Sequence, residues 1–251
     1  MKIGAQLYTV REFTQTKNDF EETIKKIADI GYKCVQISAI SPEITAAEVK
    51  EICDKYDIEI VITHTPLDRF KQELEEVIKD HEIMDCKYIG LGALTWGTGN
   101  EKQGYDDFIK DFREISATIA DEGYKFMYHN HDFEFMRING EPALNYIAKE
   151  IPDAGFTLDV FWVQAGGADP REWLEKLAGR VDVIHFKDYV IHDGERRMAE
   201  VGEGNLNWEG IIHTAIKVGV KYAMVEQDDC YGRDPFECLK ISFDNIKKMG
   251  L

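Results

Sequence analysis

The chain is short of the residues that staple, link or bind polyanions. Of 251 residues only five are cysteine and six are proline. The cysteines (Cys34, Cys53, Cys86, Cys230, Cys238) are odd in number, scattered and without C-x-x-C spacing, which excludes a disulfide framework and a thiolate zinc site. A chain of this length buries roughly 70–75% of its unfolded surface and needs no staple. No Pro- or Ser-rich or low-complexity stretch marks a linker, so residues 1–251 read as one domain. No apolar run approaches the about 18 residues of a membrane span. The opening Met1-Lys2-Ile3-Gly4 reads as a strand rather than a signal segment, and a cytoplasmic location is expected. Basic residues are outnumbered 30 to 47 by acidic ones, a formal net charge of -17. Affinity for phosphate backbones rests on Lys and Arg, so no nucleic-acid partner is expected.

What the chain does have is repetition. "TIKKIADIGYKCVQIS", "ISATIADEGYKFMYHN" and "IIHTAIKVGVKYAMVEQ" each run from an amphipathic helix through a turn at Gly31, Gly123 or Gly219 into a short β-rich run. The gaps between them hold about three units of roughly 30 residues, the length of a strand–helix pair. Reading between them places strands near 3–8, 33–38, 59–65, 87–92, 125–130, 155–159, 181–187 and 222–227. Helical patterns fill 19–30, 44–56, 70–84, 105–122, 142–150, 170–178, 208–218 and 235–249, with Thr16-x-x-Asp19, Pro42, Pro170 and Pro235 near expected starts. Eightfold β–α alternation predicts a single closed (β/α)8 barrel rather than a doubly wound open sheet.

Barrel active sites lie at the C-terminal strand ends. Those ends carry Gln36, His64, the run His129-Asn130-His131, Asp159, His185 with Lys187, and Glu226 with Asp228. Side chains two apart share a face, so Met127, His129 and His131 go together, as do Val183, His185 and Lys187, and Met224, Glu226 and Asp228. If those faces point inward, His129, Asp159, His185 and Glu226 from four consecutive strands converge at one mouth. Each has a blander reading. A strand-end imidazole is often simply hydrogen-bonded, Asp159 would cap the next helix, and Lys187 would pair with Asp159 or Asp228. Glu226, in a run of Ala, Met and Val, is hardest to explain as structure, because ionised carboxylates are rarely buried unpaired. "HEIMD" at His81 lacks the second His of a zinc-protease helix and reads as a solvated helix end. "VGEGNLNW" follows the seventh strand rather than the first and is no dinucleotide fingerprint. His192 and His213 read as surface or helix-packing residues.

"HFKDY" at 185–189, "VGEGNLNW" at 201–208, "TLDVFWV" at 157–163 and "VEQDD" at 225–229 together resemble the sugar phosphate isomerase/epimerase family of the xylose isomerase-like TIM barrels. The resemblance runs from "IGAQLYTVR" across essentially the whole chain. It implies one divalent metal held at the ends of strands 5 to 8, by His129, Asp159, His185 and Glu226 here. Members of that family usually have Glu-Asn where this chain has His129-Asn130, and the two-carboxylate epimerisation scheme uses that Glu. His131 or Glu134 would then take over part of its role. By analogy with such barrels, a homodimer is expected.

Two imidazoles and two carboxylates suit Mn²⁺ first, with Zn²⁺, Co²⁺, Fe²⁺ or Mg²⁺ as alternatives. The expected chemistry is isomerisation or epimerisation of a small sugar or keto-sugar through a metal-stabilised enediolate. Lys187 would stabilise the oxyanion, and Glu226 is the first candidate base, ahead of His131, Glu134 and His64. Gln36, His64, Trp96, Trp162, Glu203 and Trp208 are candidate substrate contacts. A lyase or dehydratase acting on an inosose or a 3-keto-glycoside, and a non-catalytic sugar-binding barrel, are the alternatives.

Overall fold

The computed structural model describes residues 1–94 and 101–251. Eight strands close a parallel barrel: β1 (Lys2–Gln6), β2 (Cys34–Ile37), β3 (Glu59–Thr63), β4 (Tyr88–Leu91), β5 (Lys125–His129), β8 (Gly155–Asp159), β9 (Val183–Phe186) and β12 (Tyr222–Val225). Two short hairpins, β6 (Arg137–Ile138) with β7 (Glu141–Pro142) and β10 (Asp188–His192) with β11 (Glu195–Ala199), rise from the loops after β5 and β9. The helices are α1 (Lys17–Ile30), α2 (Ala46–Lys55), α3 (Leu67–Gln72), α4 (Leu74–Met84), α5 (Glu101–Asp121), α6 (Ala143–Glu150), α7 (Val160–Ala165), α8 (Pro170–Lys176), α9 (Trp208–Val218) and α10 (Pro235–Lys248). No helix among the described residues is long and apolar enough to cross a membrane.

Local chemistry explains the helix starts. Thr16 accepts from the Asp19 N–H, Thr45 and Glu48 form a reciprocal capping box, and Pro170 and Pro235 follow capping aspartates. Pro42 lies in the turn before Thr45 and starts nothing. α1 buries Phe20, Thr23, Ile24 and Ile27, one stripe at helical spacing.

Strand alternation then sorts the core into two layers. Outward-facing Phe126, Tyr128, Phe156, Leu158, Ile184 and Phe186 join the large cluster under the helices. Inward-facing Cys34, Val61, Ile62, Met127, Val183 and Met224 fill the barrel below its mouth. Gly155 belongs to this packing, because a Cβ there would lie 2.4 Å from the Met127 sulfur. Adding two residues to Met127, Val183 and Met224 leads to His129, His185 and Glu226.

Four expectations change. β1 stops at Gln6, because the Gln6 carbonyl oxygen Oε1 accepts from the Tyr8 N–H and turns the chain into a 3-10 helix over Leu7–Phe13. The helix expected over 70–84 is two, α3 and α4, meeting at non-helical Glu73. α7 and both hairpins fall in stretches read as loops. His81 is buried rather than solvated: Nδ1 donates to the Val77 carbonyl (2.7 Å), and Nε2 lies 2.8 Å from the Thr63 hydroxyl. Burial pushes its imidazole down to about 4.

Candidate metal centre

At the mouth, one ligand atom each from His129, Asp159, His185 and Glu226 lies within 4.8 Å of every other, and all four residues are buried. Their neighbours aim them. His129 Nδ1 donates to the Gly92 carbonyl (2.8 Å), which leaves Nε2 facing Asp159 Oδ2 at 3.4 Å. His185 Nε2 donates to Gln36 Oε1 (2.7 Å), which leaves Nδ1 facing Glu226 Oε2 at 3.0 Å and Asp159 Oδ2 at 3.6 Å. Carbonyl oxygens only accept, so both tautomers are set from behind, as for imidazoles that ligate metals. Gln6 Nε2 donates to Glu226 Oε1 at 2.6 Å. Asp159 divides its oxygens: Oδ1 accepts from the Trp162 N–H and caps α7, while Oδ2 faces the cluster. Asn130 Oδ1 accepts from the Asp159 N–H (2.9 Å) and straps the two strand ends together.

His185 Nδ1 and Glu226 Oε2 are 3.0 Å apart, yet neither makes an aligned hydrogen bond. Lys187 Nζ approaches the same Glu226 oxygen at 3.1 Å, so carboxylates and cationic groups crowd one centre. The donor set, two imidazole nitrogens and two carboxylates, fits a divalent transition ion.

The buried charges compensate one another. Burial alone would raise the Asp159 and Glu226 carboxyls, but Lys187 and the imidazoles hold both well below the usual range. Burial would likewise lower His185, but Glu226 and Asp159 push it up to about 9. Lys187 is itself buried, and its Nζ lies 2.8 Å from Asp228 Oδ1, 3.1 Å from Glu226 Oε2 and 3.5 Å from Asp159 Oδ2. Burial opposes its charge, but these carboxylates outweigh that and raise it.

Around this cluster stand further nitrogens with no partner among the described residues: His64 Nε2, His131 Nδ1, Trp162 Nε1 and Gln36 Nε2. The His64 ring sits 5.1 Å from that of His129, and the His131 ring is 4.7 Å from His129 and 5.4 Å from Trp162. Burial, His129 and Lys187 push His131 down to about 3, so its ring is neutral.

Other residues singled out in the sequence lie elsewhere. Trp208 is buried against Phe186 with its indole N–H donated to Asp188. Glu203 accepts from Asn245 of α10 and lines a cleft of about 660 Å³ between hairpin β10–β11 and that helix. Glu134 is fully buried, accepting from the Tyr128 hydroxyl (2.6 Å) and the His131 N–H (2.7 Å), so it staples the turn after β5 instead of facing the mouth. Burial pushes its carboxyl up to about 7. Trp96 lies outside the described residues.

Sequence reasoning missed Gln6, whose role shows only when the barrel closes and β1 meets β12. It also missed Asp188. That buried carboxylate accepts from the N–H groups of Tyr189, Gly202, Gly204 and Leu206 and from the Trp208 indole. A Cβ at Gly204 would lie 2.1 Å from Asp188 Oδ1, which explains the glycine of "VGEGNLNW" as room for a carboxylate.

A closed parallel barrel with buried ligand-type side chains on four adjacent strand ends is a TIM barrel with a group that could hold a metal ion. A model of the xylose isomerase-like TIM barrel matches residues 24–240, and the chain belongs to that family. Among solved structures, it is similar to a sugar phosphate isomerase/epimerase from Parabacteroides distasonis (22% identity, TM-score 0.79, 98% of this chain and 93% of that one). It is also similar to the probable 3-DHS dehydratase AsbF from Bacillus anthracis (16%, 0.76, 98% and 99%) and to a D-allulose 3-epimerase from Methylomonas sp. (13%, 0.76, 99% and 98%). No curated protein matches the sequence significantly.

Proposed function

We propose that the protein is a divalent-metal-dependent isomerase or epimerase of a small sugar or keto-sugar. The observation carrying this reading is the meeting of His129, Asp159, His185 and Glu226, one ligand-type atom of each within 4.8 Å of the others and all four residues buried. We assign these four as ligands of one ion, Mn²⁺ first, with Zn²⁺, Co²⁺, Fe²⁺ or Mg²⁺ as substitutes. When bound, that ion supplies a Lewis acid and a template for a hydroxyl beside a carbonyl.

The chain's own side chains supply the rest. Glu226 has one oxygen held by Gln6 and the other turned to the ligands and Lys187, and it is kept ionised, the form a base needs. His131 is neutral, but burial makes its ring a weak base. In our scheme Glu226 takes the C–H proton beside the carbonyl, with His131 as the alternative base, and the C–H electron pair becomes the new C=C bond. The carbonyl oxygen gains the negative charge, and Lys187 donates to it. A proton delivered from solvent to the opposite face gives the epimer; return of the proton to the former carbonyl carbon, with the proton of the neighbouring hydroxyl passing to the enediolate oxygen, gives the isomer. His64, Trp162 and Gln36 provide N–H groups for substrate hydroxyls.

Elimination is the second reading. Where the two-carboxylate epimerisation scheme places a second Glu, this chain has His129. That asymmetry suits loss of a β-hydroxyl or β-alkoxyl as well as reprotonation.

Metal analysis of the purified protein tests the site: stoichiometric ion in the wild type and none in His185→Ala supports it, and equal content in both refutes it. Ketoses, an inosose and a 3-keto-glycoside assayed in deuterated water then separate the chemistries. Solvent deuterium in product without elimination supports isomerisation, and an elimination product replaces that reading with the lyase.

A further inference from the structure

We infer that Asp228 is a positioning residue that sets metal affinity by holding the Lys187 ammonium away from the ligand carboxylates. The inference rests on the metal-site reading above. Lys187 follows His185 by two on the inward face of β9, so its stem runs up beside the ligands and its Nζ arrives among their oxygens. A fixed ammonium in contact with Glu226 and Asp159 competes with any cation those oxygens would bind. Asp228 is the group drawing it outward. Both Asp228 oxygens approach Nζ, at 2.8 and 3.0 Å, closer than Glu226 at 3.1 Å or Asp159 at 3.5 Å.

The surroundings fix that outward position. The Asp228 carbonyl accepts from Arg11 Nη1 (3.1 Å), which anchors the main chain at the rim. Its carboxylate is about a quarter exposed, whereas the Glu226 and Asp159 side chains are buried. On the inner side Nζ lies 5.3 Å from the Trp162 ring centre and 5.9 Å from that of Phe161, an aromatic wall that favours a cation. Lys187 thus rests at the edge of the ligand set, shared between Asp228 and the ligand carboxylates. Without Asp228, its nearest remaining counter-charges are the ligands themselves.

The test is a two-residue cycle read by calorimetric titration of Mn²⁺ into the metal-stripped full-length protein, with folding checked by circular dichroism. Asp228→Asn should weaken Mn²⁺ binding about 10- to 100-fold, the range for groups just behind a ligand shell. Lys187→Met should bind at least as tightly as the wild type. In the Lys187→Met background, Asp228→Asn should change affinity by no more than about twofold, because the charge it restrains is gone. An equal loss in both backgrounds, or none in either, overturns the inference while leaving the metal site standing. A wild type that binds no Mn²⁺, together with an unaltered His185→Ala, removes the metal site itself. Asp228→Ser takes the place of Asp228→Asn should the amide variant not fold.

Discussion

The two ends of the barrel handle polar groups in opposite ways. At the N-terminal end, Lys125 and Lys221 share the Asp182 carboxylate at 2.6 and 2.8 Å, the Tyr222 hydroxyl donates to Glu59 at 2.8 Å, and Lys2 also pairs with Glu59. None of these side chains leaves a buried polar atom without a partner. At the C-terminal mouth, among the described residues, Gln36, His64, His131 and Trp162 each leave a buried nitrogen without a partner. Buried polar groups are normally paired, and these four nitrogens depart from that rule at the mouth and not at the base. They leave hydrogen-bonding capacity there for a group from outside the chain.

Neighbouring aspartates show the same contrast at short range. Asp188 receives five N–H donors, whereas Asp159 Oδ2 has only loose approaches of 3.4 to 3.6 Å from His129, His185 and Lys187. Asp188→Ala should therefore cost the most stability, on the order of 3–5 kcal/mol, because it strands buried donors. Urea unfolding of the metal-free protein measures it, and a loss below about 1 kcal/mol would erase the distinction between the two residues.

Glu226→Gln should act the other way round. Mn²⁺ affinity should fall by at least about 100-fold, with a smaller loss of metal-free stability than Asp188→Ala, since Asp159 and Asp228 still face Lys187. A large stability loss with binding intact would make Glu226 a structural residue.

Glu134 sharpens the comparison through pH. Its folded-state pKa of about 7 lies above the ordinary carboxylate value. Its stabilising contribution is therefore complete below about pH 4.5 and lost as pH rises through 7. The wild type should lose on the order of 2 kcal/mol across that window from this group, and Glu134→Gln should flatten the slope even if it lowers the plateau. An unchanged slope in thermal melts across that range would place the titration elsewhere.

Smallest of all should be Lys125→Met at the barrel base. Half-exposed ion pairs contribute at most about 1 kcal/mol, and Mn²⁺ binding should not change.

Most of the architecture was legible because two periodicities carry it: helical stripes such as Phe20-Ile24-Ile27, and strand alternation such as Val183-His185. The same alternation brought four ligand-type residues to one rim without coordinates. Residues whose partners are remote in sequence were not legible. Gln6 reaches Glu226 across 220 positions, and Gln36 reaches His185 across 149. Asp188 was hidden for another reason: its donors are backbone amides, which carry no sequence signature. Asp159 raised a choice between cap and ligand, and its two oxygens make the choice unnecessary.

That division has a consequence for how the molecule is observed. One carboxyl group joins the cluster to the first turn of the helix bearing Trp162, so a pull on its inner oxygen is transmitted through its outer one to the indole. An ion bound at the cluster would then shift Trp162 emission, which a fluorescence titration of Mn²⁺ into the metal-free protein checks.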